Sequence, residues 1–179
     1  MEKSTSTILK IAIVGAESTG KTTLCKQLAS HYKTNYTDEK AREFFKKNST
    51  KYSLEDILKI DKLQEQEEFS KIKLSKKFLF CDSTAITSAV WAKFVFQKLP
   101  EELEIRFKSE DISLYLLSSN DIKWEFDSLR EHEFQRDEIF EVYKNMFEQY
   151  QKKFVILSGQ NSERFWNAVK IIDSIFLSK

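Results

Sequence analysis

Glycine and proline are scarce in this 179-residue chain: three of the first and one of the second. Average usage would give about twelve glycines. The shortage excludes collagen-like, glycine-rich and flexible-linker readings. Histidine is nearly absent too, with only His31 and His132, which argues against histidine-rich zinc sites and histidine-based triads. Two cysteines, Cys25 and Cys81, lack metal or redox spacing and read as buried free thiols of a cytosolic protein. No apolar run approaches the roughly 20 residues of a membrane span. The polar start, Met1 to Thr7, does not read as a signal peptide, so a cytoplasmic location is expected. No excess charge of one sign exists: 29 basic residues face 28 acidic ones. A global field toward nucleic acid or anionic membrane is therefore not expected.

What is present is a hydrophobic content of 41% with fifteen Phe, enough for one core. One domain over 1–179 is the natural expectation. Strand-like apolar runs at 8–14, 77–81, 112–117 and 153–157 alternate with helical patterns, and 34–37 suggests a short second strand. Helices are expected over 21–31, 38–48, 85–97, 133–150 and 162–177. Another opens on a capping box of Ser53 and Asp56 and runs to Lys73. Pro100 is taken to stop the helix before it, and 119–131 reads as a loop. Alternation of this kind predicts an α/β fold, a three-layer αβα sandwich around a five-stranded parallel sheet.

Two of the three glycines lie five residues apart in Gly15-Ala16-Glu17-Ser18-Thr19-Gly20-Lys21-Thr22. This is G-x-x-x-x-G-K-[ST] between a strand and a helix, the P-loop pattern and its confirming context. Its backbone N–H groups would cradle the phosphates of ATP, together with Thr23 just beyond, and the helix dipole would add to them. Lys21 would reach the β- and γ-phosphates, and the Thr22 hydroxyl would bind Mg²⁺. Phe78 to Asp82 reads as a second strand of the site, with Asp82 at its carboxyl end holding Mg²⁺ through water.

No glycine lies between positions 20 and 159, so a GTPase D-x-x-G switch cannot exist there. The chain also looks too short for a full hexameric AAA+ module. A small P-loop kinase fits best, with a lid at about 119–136 closing over ATP and a small-molecule acceptor. Arginines are few, five against 24 lysines, and four fall where such a kinase needs cations. Arg42 follows the second strand, Arg130 and Arg136 bracket the lid, and Arg164 follows the last strand near the expected adenine contact. Arg106 has no motif around it.

The stretches GAESTGKTTL (15–24), EKAREFF (39–45), FLFCDSTAITSAVW (78–91), YLLSSNDIKWEFDSLRE (115–131) with Arg136, and ILSGQNSERFWNAV (156–169) together resemble the ribosylnicotinamide kinase domain of NadR-type NAD-salvage proteins. The resemblance runs in order over nearly the whole chain. It implies transfer of a phosphoryl group from Mg-ATP to the 5′-hydroxyl of nicotinamide riboside, giving nicotinamide mononucleotide. On that reading Trp124, with Glu125 and Asp127 nearby, offers a π face to the pyridinium. Arg42 joins the acceptor site, Glu39 or Asp82 orients or deprotonates the hydroxyl, and Arg130 and Arg136 neutralise the transferring phosphoryl. Family members commonly show Asp-Thr-Asp where this chain has Asp82-Ser83-Thr84, so a second carboxylate is missing. Nor does the chain carry the His-x-Gly-His signature of a nucleotidyltransferase domain. Phosphorylation of another nucleoside or small alcohol, and a non-catalytic nucleotide sensor, are the alternative readings.

Overall fold

The computed structural model describes residues 7–48, 51–125 and 133–178. Five parallel strands form one sheet: β1 (Leu9–Val14), β2 (Asn35–Thr37), β3 (Phe78–Asp82), β4 (Leu114–Ser118) and β5 (Phe154–Leu157), in the order β2-β3-β1-β4-β5. Helices α1 (Lys21–His31), α2 (Lys40–Lys47), α3 (Leu54–Ile72), α4 (Ala85–Phe96), α5 (Glu101–Ser109), α6 (Arg136–Gln149) and α7 (Ser162–Phe176) connect them, with a short 3₁₀ turn at Glu133–Gln135 before α6.

Successive strand residues point to opposite faces, and this sheet is apolar on both. Ile11, Ile13, Phe78, Phe80, Leu114 and Leu116 pack against α1 and α7 through Leu24, Leu28, Ala168 and Ile172. Their neighbours Ala12, Val14, Leu79, Cys81, Tyr115 and Leu117 face α4 and α6 through Ile86, Ala89, Tyr143 and Phe147, with Phe107 of α5 beside them. Helices on both faces make the expected three-layer α/β sandwich, and burial on both faces explains why the strands read as continuous apolar runs. Both free thiols are buried in these layers.

Helix α5 was not expected from the sequence. Pro100 does not merely end what precedes it; it sits at the N-cap of α5 with φ −59°. Glu101, Glu102 and Glu104 occupy the first turn and Arg106 and Lys108 the last. That charge order complements the helix dipole, and Leu103 and Phe107, one turn apart, are fully buried. The capping box of α3 is formed: the Asp56 amide donates to Ser53 Oγ at 3.3 Å and the Ser53 amide to Asp56 Oδ2 at 3.0 Å.

The sheet order reverses at β1, whose neighbours are β3 and β4. Ligands bind beyond the carboxyl ends of strands at such a switch point. Register puts Ile13 of β1 beside Asp82 of β3, so the phosphate loop after Val14 and the carboxylate of Asp82 reach that edge together.

Candidate active site

Gly15 leaves β1 with φ +140°, and a Cβ there would stand 2.9 Å from the Ser118 carbonyl oxygen of β4. Gly20 caps α1 with φ +75°, where a Cβ would approach Ile122 Cδ1 to 3.2 Å. Both conformations belong to the left-handed side of backbone space that glycine enters at least cost. Between them the loop is tied to itself. The Ala16 carbonyl accepts from Thr19 Oγ1 at 2.9 Å and from Lys21 Nζ at 2.7 Å. Lys21 therefore lies across the mouth of the loop at the start of α1, where phosphate-binding backbone amides collect.

Thr22 Oγ1 donates to Asp82 Oδ2 at 2.5 Å. The other carboxylate oxygen, Asp82 Oδ1, is buried without a hydrogen-bond partner. A buried anionic oxygen with no donor is costly, and a cation on that side would satisfy it. Among the described residues no group of three or more His, Cys, Asp or Glu converges. A Mg²⁺ ion here would rest on one carboxylate and one hydroxyl, completed by phosphate oxygens and water, which is the usual way proteins hold it. The donor set fits the ion. Burial, with the Glu39 carboxylate next in weight, lifts the Asp82 carboxyl to about 7, against the pull of Thr22, Lys21 and Arg42.

That shift sets a pH dependence. A carboxyl raised in the folded state binds more protons than in the unfolded state between its ordinary range and neutrality, so stability falls as pH rises through that window. In EDTA, the wild-type melting temperature is expected to drop between pH 5 and 8 more steeply than that of Asp82→Asn, which carries no charge to bury. Parallel melting curves would refute the assignment.

Glu39 precedes α2 as its N-cap, and Gln64 of α3 fixes that corner. Gln64 Oε1 accepts the Lys40 amide at 3.0 Å, and Nε2 donates to the Asp38 carbonyl at 3.2 Å and to Thr37 Oγ1 at 3.4 Å. Thr37 Oγ1 in turn accepts the Asp82 amide at 3.1 Å. The ends of β2 and β3 and the start of α2 are thus one hydrogen-bonded unit. Arg42 Nε lies 3.3 Å from Glu39 Oε2.

Glu39, Arg42 and Gln64 border one cavity of about 340 Å³. Its lining comprises the loop residues Gly15, Glu17, Ser18, Thr19, Gly20, Lys21, Thr22 and Thr23, the charged Glu39 and Arg42, the apolar and aromatic Phe45, Tyr52, Ile57, Ile60 and Trp91, and the hydroxyl residues Ser83, Thr84, Thr87 and Ser88. The structure thus brings Lys21, Thr22, Glu39 and Arg42 together, with Asp82 directly beneath Thr22. The aromatic wall of Phe45, Tyr52 and Trp91, and Gln64 behind it, were not singled out from the sequence.

Trp124 does not line this cavity. It lies under the Arg136 guanidinium, 5.8 Å from ring centre to Cζ. Arg136 Nη1 donates to the Ile122 carbonyl at 2.9 Å, with the Ser18 carbonyl at 3.5 Å, and the Glu125 amide donates to Ser18 Oγ at 3.0 Å. The segment after β4 is therefore pinned to the phosphate loop. Asp127 and Arg130, and with them the middle of the expected lid, lie outside the described residues. Arg164 is only 3% exposed. Its guanidinium donates to the carbonyls of Thr19 at 2.7 Å, Gly159 at 2.8 Å and Ser119 at 3.2 Å, and to Asp121. It bolts the phosphate loop to the ends of β4 and β5.

Comparison with known proteins agrees with this architecture. A NadR protein in complex with NR superimposes with a TM-score of 0.81 at 21% identity, over 96% of this chain and 52% of that one. Thymidylate kinase from Ehrlichia chaffeensis gives 0.67 at 13% identity, over 93% and 98% of the two chains. Deoxyadenosine kinase from M. mycoides gives 0.66 at 12%, over 93% and 100%. At such identities the likeness is one of fold, and the chain spans about half the length of the NadR chains it matches. No curated protein matches in sequence. A family model described as an AAA domain matches residues 10–164, from the first strand to the arginine that secures the phosphate loop. The chain thus belongs to this AAA-domain family of P-loop proteins, in a fold shared with NadR and with small nucleoside and nucleotide kinases.

Proposed function

We propose that this protein is a Mg-ATP-dependent kinase that phosphorylates the 5′-hydroxyl of nicotinamide riboside. The observation that carries the reading is a single cavity lined by the phosphate loop, by Glu39 and by the aromatic side chains of Phe45, Tyr52 and Trp91. Its volume, about 340 Å³, lies within the range of small-ligand sites. A phosphoryl donor on the loop and a flat ring against the aromatic side chains would bring a ribose hydroxyl toward Glu39, which lines the same cavity.

On this reading the loop amides and Lys21 hold the phosphates of ATP. Thr22 and Asp82 would hold Mg²⁺, which when bound neutralises charge on the phosphates. Glu39, its position set by Gln64, orients the acceptor hydroxyl and accepts its proton; Asp82 is the competing base. Arg136, and Arg130 beyond the described residues, supply cations from the lid side. Phosphoryl transfer needs little more than such positioning and charge stabilisation. Arg164 serves the nucleotide site through the Thr19 carbonyl it holds. The π faces of Trp91, Tyr52 and Phe45 suit a pyridinium ring and take the part the sequence suggested for Trp124. The NadR neighbour whose complex holds NR supports this choice.

A coupled ADP-release assay with ATP and a panel of nucleosides tests it. Nicotinamide riboside is expected to give the highest kcat/KM. No turnover with it, against turnover with another nucleoside, would assign the chain to the second kinase reading, which the nucleoside-kinase neighbours favour. Trp91→Ala is expected to raise the acceptor KM about tenfold, a loss of about 1.4 kcal/mol in line with a desolvated cation–π contact. The KM for ATP should stay within twofold of wild type. Equal effects on both substrates would remove Trp91 from the acceptor site.

A further inference from the structure

Glu110 is a buried carboxylate with no part in the scheme above. It stands at the C-cap of α5 and reaches across to the start of α4. Glu110 Oε2 accepts the Ala85 amide at 3.1 Å, while Oε1 accepts the Tyr115 hydroxyl at 2.6 Å and the Thr84 hydroxyl at 3.4 Å. Thr84 itself occupies the N-cap of α4 in an extended conformation, φ −149° and ψ −170°, but its side chain makes no capping bond. Its hydroxyl turns to Glu110 instead. The cap of α4, ordinarily supplied by the residue before the helix, is supplied here by a residue 25 positions away.

Between Asp82, the last residue of β3, and Ala85, the first of α4, stand only Ser83 and Thr84. Ser83 is held at φ +75°, a left-handed conformation that a non-glycine residue keeps only where the surrounding structure imposes it. Backbone of that kind persists only where both ends are held. Upstream, β3 is paired on both sides by β1 and β2. Downstream, the hold on the start of α4 includes Glu110. We propose that Glu110 is a positioning residue for the nucleotide site, capping α4 from outside and thereby fixing the Asp82–Ser83–Thr84 turn. The inference rests on the reading of Asp82 as the carboxylate that holds Mg²⁺ with ATP.

Buried Tyr115 strengthens the arrangement. Burial and the Glu110 carboxylate push its hydroxyl well above the ordinary range, so it remains a donor. Three donors converge on one carboxylate. A glutamine at 110 could still accept the Ala85 amide through its oxygen and donate its NH₂ to the two hydroxyls, which accept as well as donate. An alanine at 110 removes both acceptor oxygens and leaves the Ala85 amide without this cap.

The test is the affinity of the intact chain for ATP, measured by calorimetry with Mg²⁺ and with EDTA. In the wild type Mg²⁺ strengthens binding; in Glu110→Ala that gain is expected to shrink about tenfold or more. EDTA-state affinity, which depends on the phosphate loop, should change less than threefold. Thr84→Asp gives the sign reversal. In the wild-type background it sets a second carboxylate against Glu110 and is expected to diminish the gain. In Glu110→Ala the same substitution places a good capping residue at the N-cap and is expected to restore the gain to within threefold of wild type. Tyr115→Phe, which keeps the carboxylate and removes its 2.6 Å partner, is the milder variant if Glu110→Ala does not fold, and a smaller loss in the same quantity is expected. A full Mg²⁺ gain in either folded variant, whatever its melting temperature, would overturn the proposal and leave Glu110 as a structural cap. A wild-type chain that shows the gain yet phosphorylates no nucleoside would overturn the kinase reading while leaving this test intact.

Discussion

Lys21→Ala is expected to lower kcat/KM for phosphoryl transfer by roughly 100- to 1,000-fold, the usual cost of one charged donor aimed at a developing anion. The expectation follows from where the side chain ends. Lys21 opens α1, directly after the Gly20 cap, and its ammonium lies 2.7 Å from the Ala16 carbonyl of the same loop. Holding that carbonyl contributes little to stability, since a single hydrogen bond is worth about 1 kcal/mol net and the loop keeps the Thr19 to Ala16 bond at 2.9 Å. The melting temperature should therefore fall by only about 2–4 °C for a domain of this size. Activity and stability should separate cleanly in the coupled assay and a thermal melt. A Lys21→Ala protein with near-normal turnover would show that the phosphates of the substrate lie elsewhere.

Much of this site was legible because its chemistry is consecutive in sequence. The phosphate loop depends on local backbone geometry, and Gly15, Gly20, Lys21 and Thr22 state it within eight residues. Asp82 was legible because a buried parallel strand ends in a carboxylate, and strand register then carries it to the loop. Parallel strands covered on both faces leave long apolar runs, so the order of elements could be read as well. The missing helix α5 is instructive: the proline that stops one helix also starts the next, and the acidic first turn and basic last turn were the signal. The aromatic wall was not legible. Phe45, Tyr52 and Trp91 come from α2, the segment before α3, and α4, and only packing of those elements brings them to one cavity. Trp124 shows the converse. Its neighbours in sequence suggested a cation-binding face, and the cation it faces is Arg136 of the chain itself. Arginine scarcity drew attention to Arg164, but its burial under the loop depends on three separate chain segments meeting, which no local pattern states.

Asp121→Asn tests what that meeting is worth. Asp121 accepts the Gly159 amide at 2.7 Å and faces the Arg164 guanidinium, while its own carbonyl accepts from Gln160 Nε2 at 2.8 Å. Arg164 is buried, so neutralising its partner leaves a guanidinium charge in the interior with only carbonyl dipoles around it. Removing one partner of a buried pair costs about 3–5 kcal/mol. Asp121 is 34% exposed and water offsets part of the loss, which favours the lower end, about 3 kcal/mol, or a fall in melting temperature of roughly 6–12 °C. An exposed ion pair would be worth no more than about 1 kcal/mol, so a fall below about 4 °C would show that solvent screens this one. The functional consequence follows from the carbonyls that Arg164 holds. Thr19 lies in the phosphate loop, Ser119 at the end of β4 and Gly159 after β5, so loosening the bolt frees the loop relative to both strands. ATP affinity should weaken while the acceptor KM stays close to wild type. Arg164→Met removes the charge and its partner's need for it together, and Asp121→Asn combined with Arg164→Met should be less destabilised than the sum of the two single changes. Strict additivity would mean that the two residues act on the loop independently.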